Sequence, residues 1–431
     1  MDHFSSDDNR TFTNYYYIDD TYFNEKNGPI FVQMGGEGPV SGCSANDLHK
    51  SFGALALCVE HRFYGKSNPG RDAEMIKYLS VEQNLADTAE IVAIVQKSLG
   101  EARPVMNFGG SYSGATAAWF RDAYPNVTFA GFSSSGVVRA LVNFTGFDET
   151  VSTALGSSCS NNLKRLTSVF VQLKSDAKQW NQAKVTMRAS NLVDTHLGDD
   201  DFWYALADAA QMLDQYGHKA SLCKFLEDTF TQESDDEMKL VQKYSDFIAQ
   251  SWYVHVFTHT LSLSHTTYTS HHRGPDFMSG CFYDSECVKN ETSVGMGRSW
   301  RWQKCSELAY LQPGYHGSLR YENLTLDRLI EQCEYVFPNV YDSHDLDTIV
   351  REFNEKWGGE HPRGTRIFFS DYSDDPWRYV SVQESNLELE QPYCYLKCDG
   401  CGHCGAGVPE SLTKCRDQEK YWVKRWLDEY V

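Results

Sequence analysis

Apolar residues fall in two rhythms along this chain. Short, nearly continuous runs at 29–34, 54–59, 104–108 and 128–132 read as strands buried on both faces. Between the second and third, Leu85, Thr88, Val92, Val95 and Leu99 recur at helical spacing behind Ser80-Val81-Glu82-Gln83, a capping box. Strands alternating with helices predict a parallel α/β sheet. Near Val137 the texture changes. From Phe147 to about Tyr253 the chain reads as helices, with Phe202, Leu206, Ala209, Leu213 and Tyr216 making one apolar core stripe. Trp300 to Cys305 and Leu329 to Phe337 continue this block. Strand texture returns at 365–370 and 392–396, and an amphipathic helix runs from about Glu410 to Leu427. The expected organisation is a sheet core over 1–136, a helical insertion over 137–360, and the rest of the core over 361–431.

Composition narrows the class. A chain of 431 residues buries a large core in one or two domains. The net charge of −20 argues against nucleic acid, and no 18-residue uncharged apolar run suggests a membrane span. Thirteen cysteines accompany five Asn-x-Ser/Thr sequons, at Asn9, Asn126, Asn143, Asn290 and Asn323. Both features point to the secretory route, hence to disulfides, N-linked glycans and a secreted or lysosomal/endosomal location. Met1-Asp2-His3-Phe4 does not resemble a leader, so a trimmed or mature form is expected. The odd cysteine total leaves a thiol over; Cys58, inside a buried strand, is the candidate. Cys305 and Cys333 are expected to pair. A homodimer is a further expectation.

The third run leads into Gly109-Gly110-Ser111-Tyr112-Ser113-Gly114-Ala115. Strand, glycine turn, serine and small-residue helix start make the setting of a nucleophile elbow, with Ser113 standing where a second glycine is usual. A serine nucleophile needs a base and a group to orient it. Downstream of the strand at 365–370 comes Asp371-Tyr372-Ser373-Asp374-Asp375-Pro376-Trp377, and after the last strand comes Cys401-Gly402-His403-Cys404-Gly405. Ser111, Asp375 and His403 thus fall in α/β-hydrolase order, with Asp371 and Asp374 as local rivals. The oxyanion hole is expected from the N–H of Tyr112 and from Gly36, in the turn after the first strand.

These residues resemble the S28 family of serine peptidases. Asp2-His3-Phe4, Gly35-Gly36-Glu37-Gly38, Glu60 to Ser67, Leu79 to Gln83, Gly109-Gly110-Ser111-Tyr112, Trp302-Gln303-Lys304-Cys305 and Asp375-Pro376-Trp377 match its blocks in order. The resemblance implies an α/β-hydrolase core with a large, mainly helical insertion capping the site. It implies a serine exopeptidase for peptide substrates, cutting near a terminus, with an acceptance of proline, and needing no metal or organic cofactor. Glu37, Trp302, Trp377 and Ala115 are the substrate-binding candidates. Ala115 stands where proline-specific members carry methionine, which weakens the proline expectation. A free substrate terminus needs a charged counterpart, Glu37 or Glu60 for an amine and Arg62 for a carboxylate.

Other readings stay open. Cys394, Cys398, Cys401 and Cys404 with His403 have zinc-site spacing, although the sequons and scattered cysteines favour disulfides. His255 and His259, with His265, His271 and His272, suggest either metal or a solvated, pH-sensitive segment. An esterase or lipase would use the same triad, and a non-catalytic hydrolase fold would keep its shape.

Overall fold

The computed structural model describes residues 1–231, 236–251, 281–292, 295–338 and 346–430. The histidines at 255, 259, 265, 271 and 272 lie outside them. The strands are β1 (Tyr16–Asp19), β2 (Ile30–Gln33), β3 (Leu55–Val59), β4 (Val105–Gly110), β5 (Ala130–Ser134), β6 (Leu141–Asn143), β7 (Ala309–Leu311), β8 (Ile367–Tyr372) and β9 (Tyr393–Leu396). Seven of them form one sheet in the order β1-β3-β2-β4-β5-β8-β9, parallel throughout except for β1. Every residue of β3 and β8 is buried, as expected of parallel strands covered on both faces.

Helices α1 (Asp47–Phe52), α2 (Val81–Leu99) and α3 (Tyr112–Ala123) belong to the first part of the core. Ser80 caps α2 by accepting from the Gln83 N–H, but the Gln83 side chain does not close the box. It reaches the N-terminal segment instead, accepting from the His3 N–H at 3.0 Å and donating to Asp2. Between β5 and β8 run α4 (Thr145–Leu173), α5 (Ala177–Thr186), α6 (Gly198–Gln215), α7 (Lys219–Thr231), α8 (Glu237–Ser251), α9 (Ser285–Lys289), α10 (Gly297–Gln303), α11 (Leu326–Val336) and α12 (Leu346–Trp357). Of the described strands in this stretch, β6 and β7 pair with each other in parallel. The last helix, α13 (Lys414–Glu429), packs Val423 and Trp426 against the sheet face opposite α3.

The helical stretch has its own charged centre. Buried Arg320 meets Asp148 of α4 at 2.8 Å, Asp208 of α6 at 3.0 Å and Gln211 at 2.8 Å. Six disulfides cross-link the chain: 43–58, 159–223, 281–287, 305–333, 394–415 and 398–401. The Cys305–Cys333 pair is as expected. Cys58 is not the free thiol, because the loop carrying Cys43 crosses the end of β3 and brings the two Cα atoms to 5.5 Å. The unpaired cysteine is Cys404. The cysteine cluster near His403 is disulfide-bonded, with three of its four sulfurs in bridges. Among the described residues no helix is long and apolar enough to cross a membrane.

Candidate active site

In an open parallel sheet, loops at the carboxyl ends of the strands converge, and the candidate residues sit there. Ser111 is the single residue between β4 and α3, at φ 60° and ψ −131°. A serine with positive φ costs about 1–3 kcal/mol and must be held by its surroundings. Its N–H donates to the Ser134 carbonyl at 2.9 Å, and its carbonyl accepts from the Ala115 N–H at 3.0 Å. Gly109 is obligatory, because a Cβ there would lie 1.9 Å from the Ser113 carbonyl oxygen. Ser113, in the position of the missing glycine, is clamped in the turn: its hydroxyl donates to the Gly110 carbonyl at 2.8 Å and accepts from the Gly110 N–H at 3.1 Å.

Asp375 follows β8 and caps the 3-10 turn Pro376–Val380, accepting from the Trp377 N–H at 2.9 Å. It is fully buried, and its two oxygens lie 2.8 and 2.9 Å from Nδ1 of His403. A carboxylate oxygen accepts, so Nδ1 carries a proton, and in the neutral ring Nε2 presents its lone pair. Nε2 is buried with no hydrogen-bond partner in the protein. Burial works against the charged ring, but the Asp375 carboxylate and the neighbouring Cys404 sulfur hold His403 well above its ordinary pKa. The rivals are engaged elsewhere. Asp371 accepts from the Ser381 hydroxyl at 2.9 Å, while Asp374 pairs with Lys219 at 2.6 Å and the Gly400 N–H at 2.7 Å.

The His403 loop reaches this place through close backbone packing. A Cβ on Gly402 would lie 2.3 Å from the Gln215 carbonyl at the end of α6. Gly36, after β2, faces the first turn of α3, its Cβ position 3.5 Å from the Ser113 Cβ. Its backbone and the N-terminal N–H groups of α3, Tyr112 first, therefore border the space beside Ser111.

That space is a cavity of about 1430 Å³ between the sheet edge and the helical stretch, which Ser111, Gly36, Glu37, Trp377, His403 and Cys404 help to line. Trp377 stands 6.2 Å from the His403 ring and packs edge-on against Phe147 at 5.4 Å. Burial pushes the Glu37 carboxyl up, against the pull of its own N–H and of His403.

Four candidates lie elsewhere. Trp302 is buried in a separate cluster with Phe63, Ile76 and Leu79, its indole donating to the Leu79 carbonyl at 3.1 Å. Trp300 lines the cavity in its place. Ala115 is wholly buried on α3 and offers no wall to the cavity. Glu60 is buried beneath Val40 and Ser67, accepting from both of their N–H groups. Arg62 is locked in a buried pair with Asp87 at 2.6 and 2.7 Å.

The blocks at 60–67 and 302–305 meet at Tyr112, the residue after Ser111, a contact that sequence reasoning missed. The Tyr112 phenol meets Nε2 of His61 at 3.0 Å and accepts from Gln303 at 2.5 Å, and Gln303 in turn accepts from Tyr64 at 2.6 Å. Burial pushes His61 down to about 4, so its ring is neutral in this network. Their only sequence signal was that polar residues with little business in a core recur inside both blocks.

A family model described as serine carboxypeptidase S28 matches residues 1–414. This chain belongs to the S28 family. Among curated relatives, Probable serine protease EDA2 of Arabidopsis thaliana is 32% identical, over 100% of this chain and 87% of that protein. The human thymus-specific serine protease is 27% identical, over 89% of this chain and 76% of its own. Lysosomal Pro-X carboxypeptidase of Mus musculus is 33% identical, but over only 33% of this chain and 31% of its own. This S28 member is accordingly a serine-type peptidase with an α/β-hydrolase core and a helical insertion.

Proposed function

We propose that this S28 peptidase removes short pieces from a peptide terminus by acyl transfer through Ser111, His403 and Asp375. Nε2 of His403 takes the Ser111 proton as the hydroxyl oxygen attacks the scissile carbonyl, then returns it to the leaving amine. A water follows the same route to release the acyl group. Asp375 fixes the tautomer and stabilises the imidazolium, and the N–H groups of Tyr112 and Gly36 receive the oxyanion. The contact of His403 with Asp375, on the same cavity as a strained Ser111, carries this reading.

The roof formed by α6 and α10 favours a chain end over a folded loop. The aromatic wall of Phe147, Trp300 and Trp377 suits a compact apolar residue such as proline beside the cut. Of the charged candidates, Glu37 alone reaches the cavity, so a substrate amine is placed against it. A carboxyl-terminal reading draws on Arg301 and Lys304, which line the cavity too. All five sequon asparagines are exposed, and with six disulfides this supports a glycosylated protein of the secreted or lysosomal lumen.

Mass-spectrometric mapping of products from a mixed peptide library, beside a Ser111→Ala control, tests the proposal. Dipeptides or single residues released from one end, and absent with the variant, are expected. Internal cuts without end preference would refute the exopeptidase reading, and equal cleavage by the variant would refute the nucleophile.

A further inference from the structure

Twelve of the thirteen cysteines are in disulfides, which leaves one thiol in a chain otherwise fully oxidised. That thiol is placed with care. Cys404 directly follows His403 and takes the left-handed conformation, φ 53° and ψ 27°, which a side chain adopts only when its surroundings impose it. Its N–H donates to the Ser135 hydroxyl at 2.9 Å. Its sulfur points back over the residue before the nucleophile, 3.6 Å from the Ser134 carbonyl and 3.1 Å from where a Gly110 Cβ would be. The residue is half-buried and lines the same cavity as Ser111.

A second observation bears on this sulfur. The His403 ring, 5% exposed, leaves Nε2 without a partner, and the same cavity holds both the ring and the thiol. A base able to deprotonate a serine hydroxyl also deprotonates an adjacent thiol, whose intrinsic acidity is greater. Cys404 therefore has what thiol–disulfide exchange requires: access, a nearby base, and room beside it for an incoming group.

We propose that Cys404 is a modification site at which a low-molecular-weight disulfide reversibly shuts the catalytic centre. Nε2 of His403 takes the thiol proton and the Cys404 sulfur attacks one sulfur of R–S–S–R. A Cys404–S–S–R bond forms, the original S–S bond breaks, and the departing RS⁻ recovers the proton as RSH. The retained RS group then occupies the cavity over Gly110, where it denies substrate the approach to Ser111. Excess small thiol reverses the exchange. The compartment's ratio of disulfide to thiol thus sets the active fraction. This inference rests on the assignment of Ser111 as nucleophile.

The test uses the full chain with oxidised glutathione as the probe, at pH 8. Intact mass and peptide mapping without reduction count the adduct, and a fluorophosphonate probe reports reactive Ser111 in the same samples. One glutathionyl group on Cys404 is expected, with Ser111 labelling at least tenfold slower and restored by brief reduced glutathione. Cys404→Ala and Cys404→Ser are both expected to label whether or not the probe disulfide is present. An adduct with undiminished labelling, no adduct on Cys404, or equal loss in the two variants would each overturn the switch. Absence of labelling before any treatment would instead sink the serine-peptidase reading, and the switch with it.

Discussion

Replacing Asp375 by asparagine separates the role of its charge from the role of its shape. In the native site one Asp375 oxygen accepts from the Trp377 N–H at 2.9 Å, and the carboxylate also holds the His403 Nδ1–H. An asparagine must keep its oxygen on the Trp377 N–H, because an amide NH₂ facing that donor would leave both without an acceptor. Its NH₂ then takes the place of the other oxygen, 2.9 Å from Nδ1, and sets a donor against the Nδ1–H, which keeps only the retained oxygen at 2.8 Å as acceptor. The imidazole proton is expected to shift toward Nε2, where the ring no longer accepts from Ser111. Losing the correct tautomer and the counter-charge together is expected to lower kcat by about 10⁴, or ~5.5 kcal/mol. The acid limb of the pH profile should also move down, since the carboxylate that raises His403 is gone. The assay is kcat/KM on the best library peptide between pH 5 and 9, with thermal melting to confirm folding. A loss under tenfold with an unmoved acid limb would show that Asp375 does not orient the base.

Other outcomes follow from the same geometry. The base must be neutral to act, and His403 is held well above 6.5, so kcat/KM should fall with falling pH through a value above 6.5. By pH 5 the loss should be roughly 30-fold or more, and a profile flat down to pH 5 would contradict it. Arg320→Met leaves Asp148 and Asp208 buried without their shared cation. Urea unfolding should show about 3–5 kcal/mol less stability, and an unchanged midpoint would deny that this centre holds the helical stretch together. Glu37→Gln should raise KM for peptides with a free amino terminus about tenfold, a charge-assisted contact of ~1.5 kcal/mol, while sparing their kcat. Equal effects on N-acetylated peptides would shift the recognition elsewhere.

The central strands were legible because parallel strands buried on both faces leave largely apolar runs, as β2, β3, β4, β5 and the start of β8 do, and the edge strand β9 still shows Tyr393-Cys394-Tyr395-Leu396. The edge strand β1 was not, since Tyr16-Tyr17-Ile18-Asp19 is half exposed and pairs on one side only. The capping box at α2 was half legible: a local rule assigned Gln83 to its own helix, and a contact with Asp2, 81 residues away, overrode it. Cys58 was misjudged for a similar reason. Burial within a strand was taken to isolate its sulfur, whereas the end of a strand is where a crossing loop meets it.

At the site, order along the chain was enough to expect Ser111 and His403 on one cavity, because strand order fixes which loops converge. It could not choose among Asp371, Asp374 and Asp375. In the structure Asp375 reaches His403, while Asp374 is paired with Lys219, which arrives from the helical stretch 155 residues earlier in the chain. Nor could a motif reveal which face of its helix lines the cavity. Trp300 and Trp302 sit two residues apart on α10, about 200° apart around its axis, so one lines the cavity while the other is sealed against Leu79. The block around Trp302 is better understood through Gln303, whose bonds to Tyr112 and Tyr64 tie the first turn of α3 to the inserted helices. A residue away from the cavity can thus sit in a recognisable motif, because its neighbour in the chain ties the helix that follows Ser111 to the inserted helices.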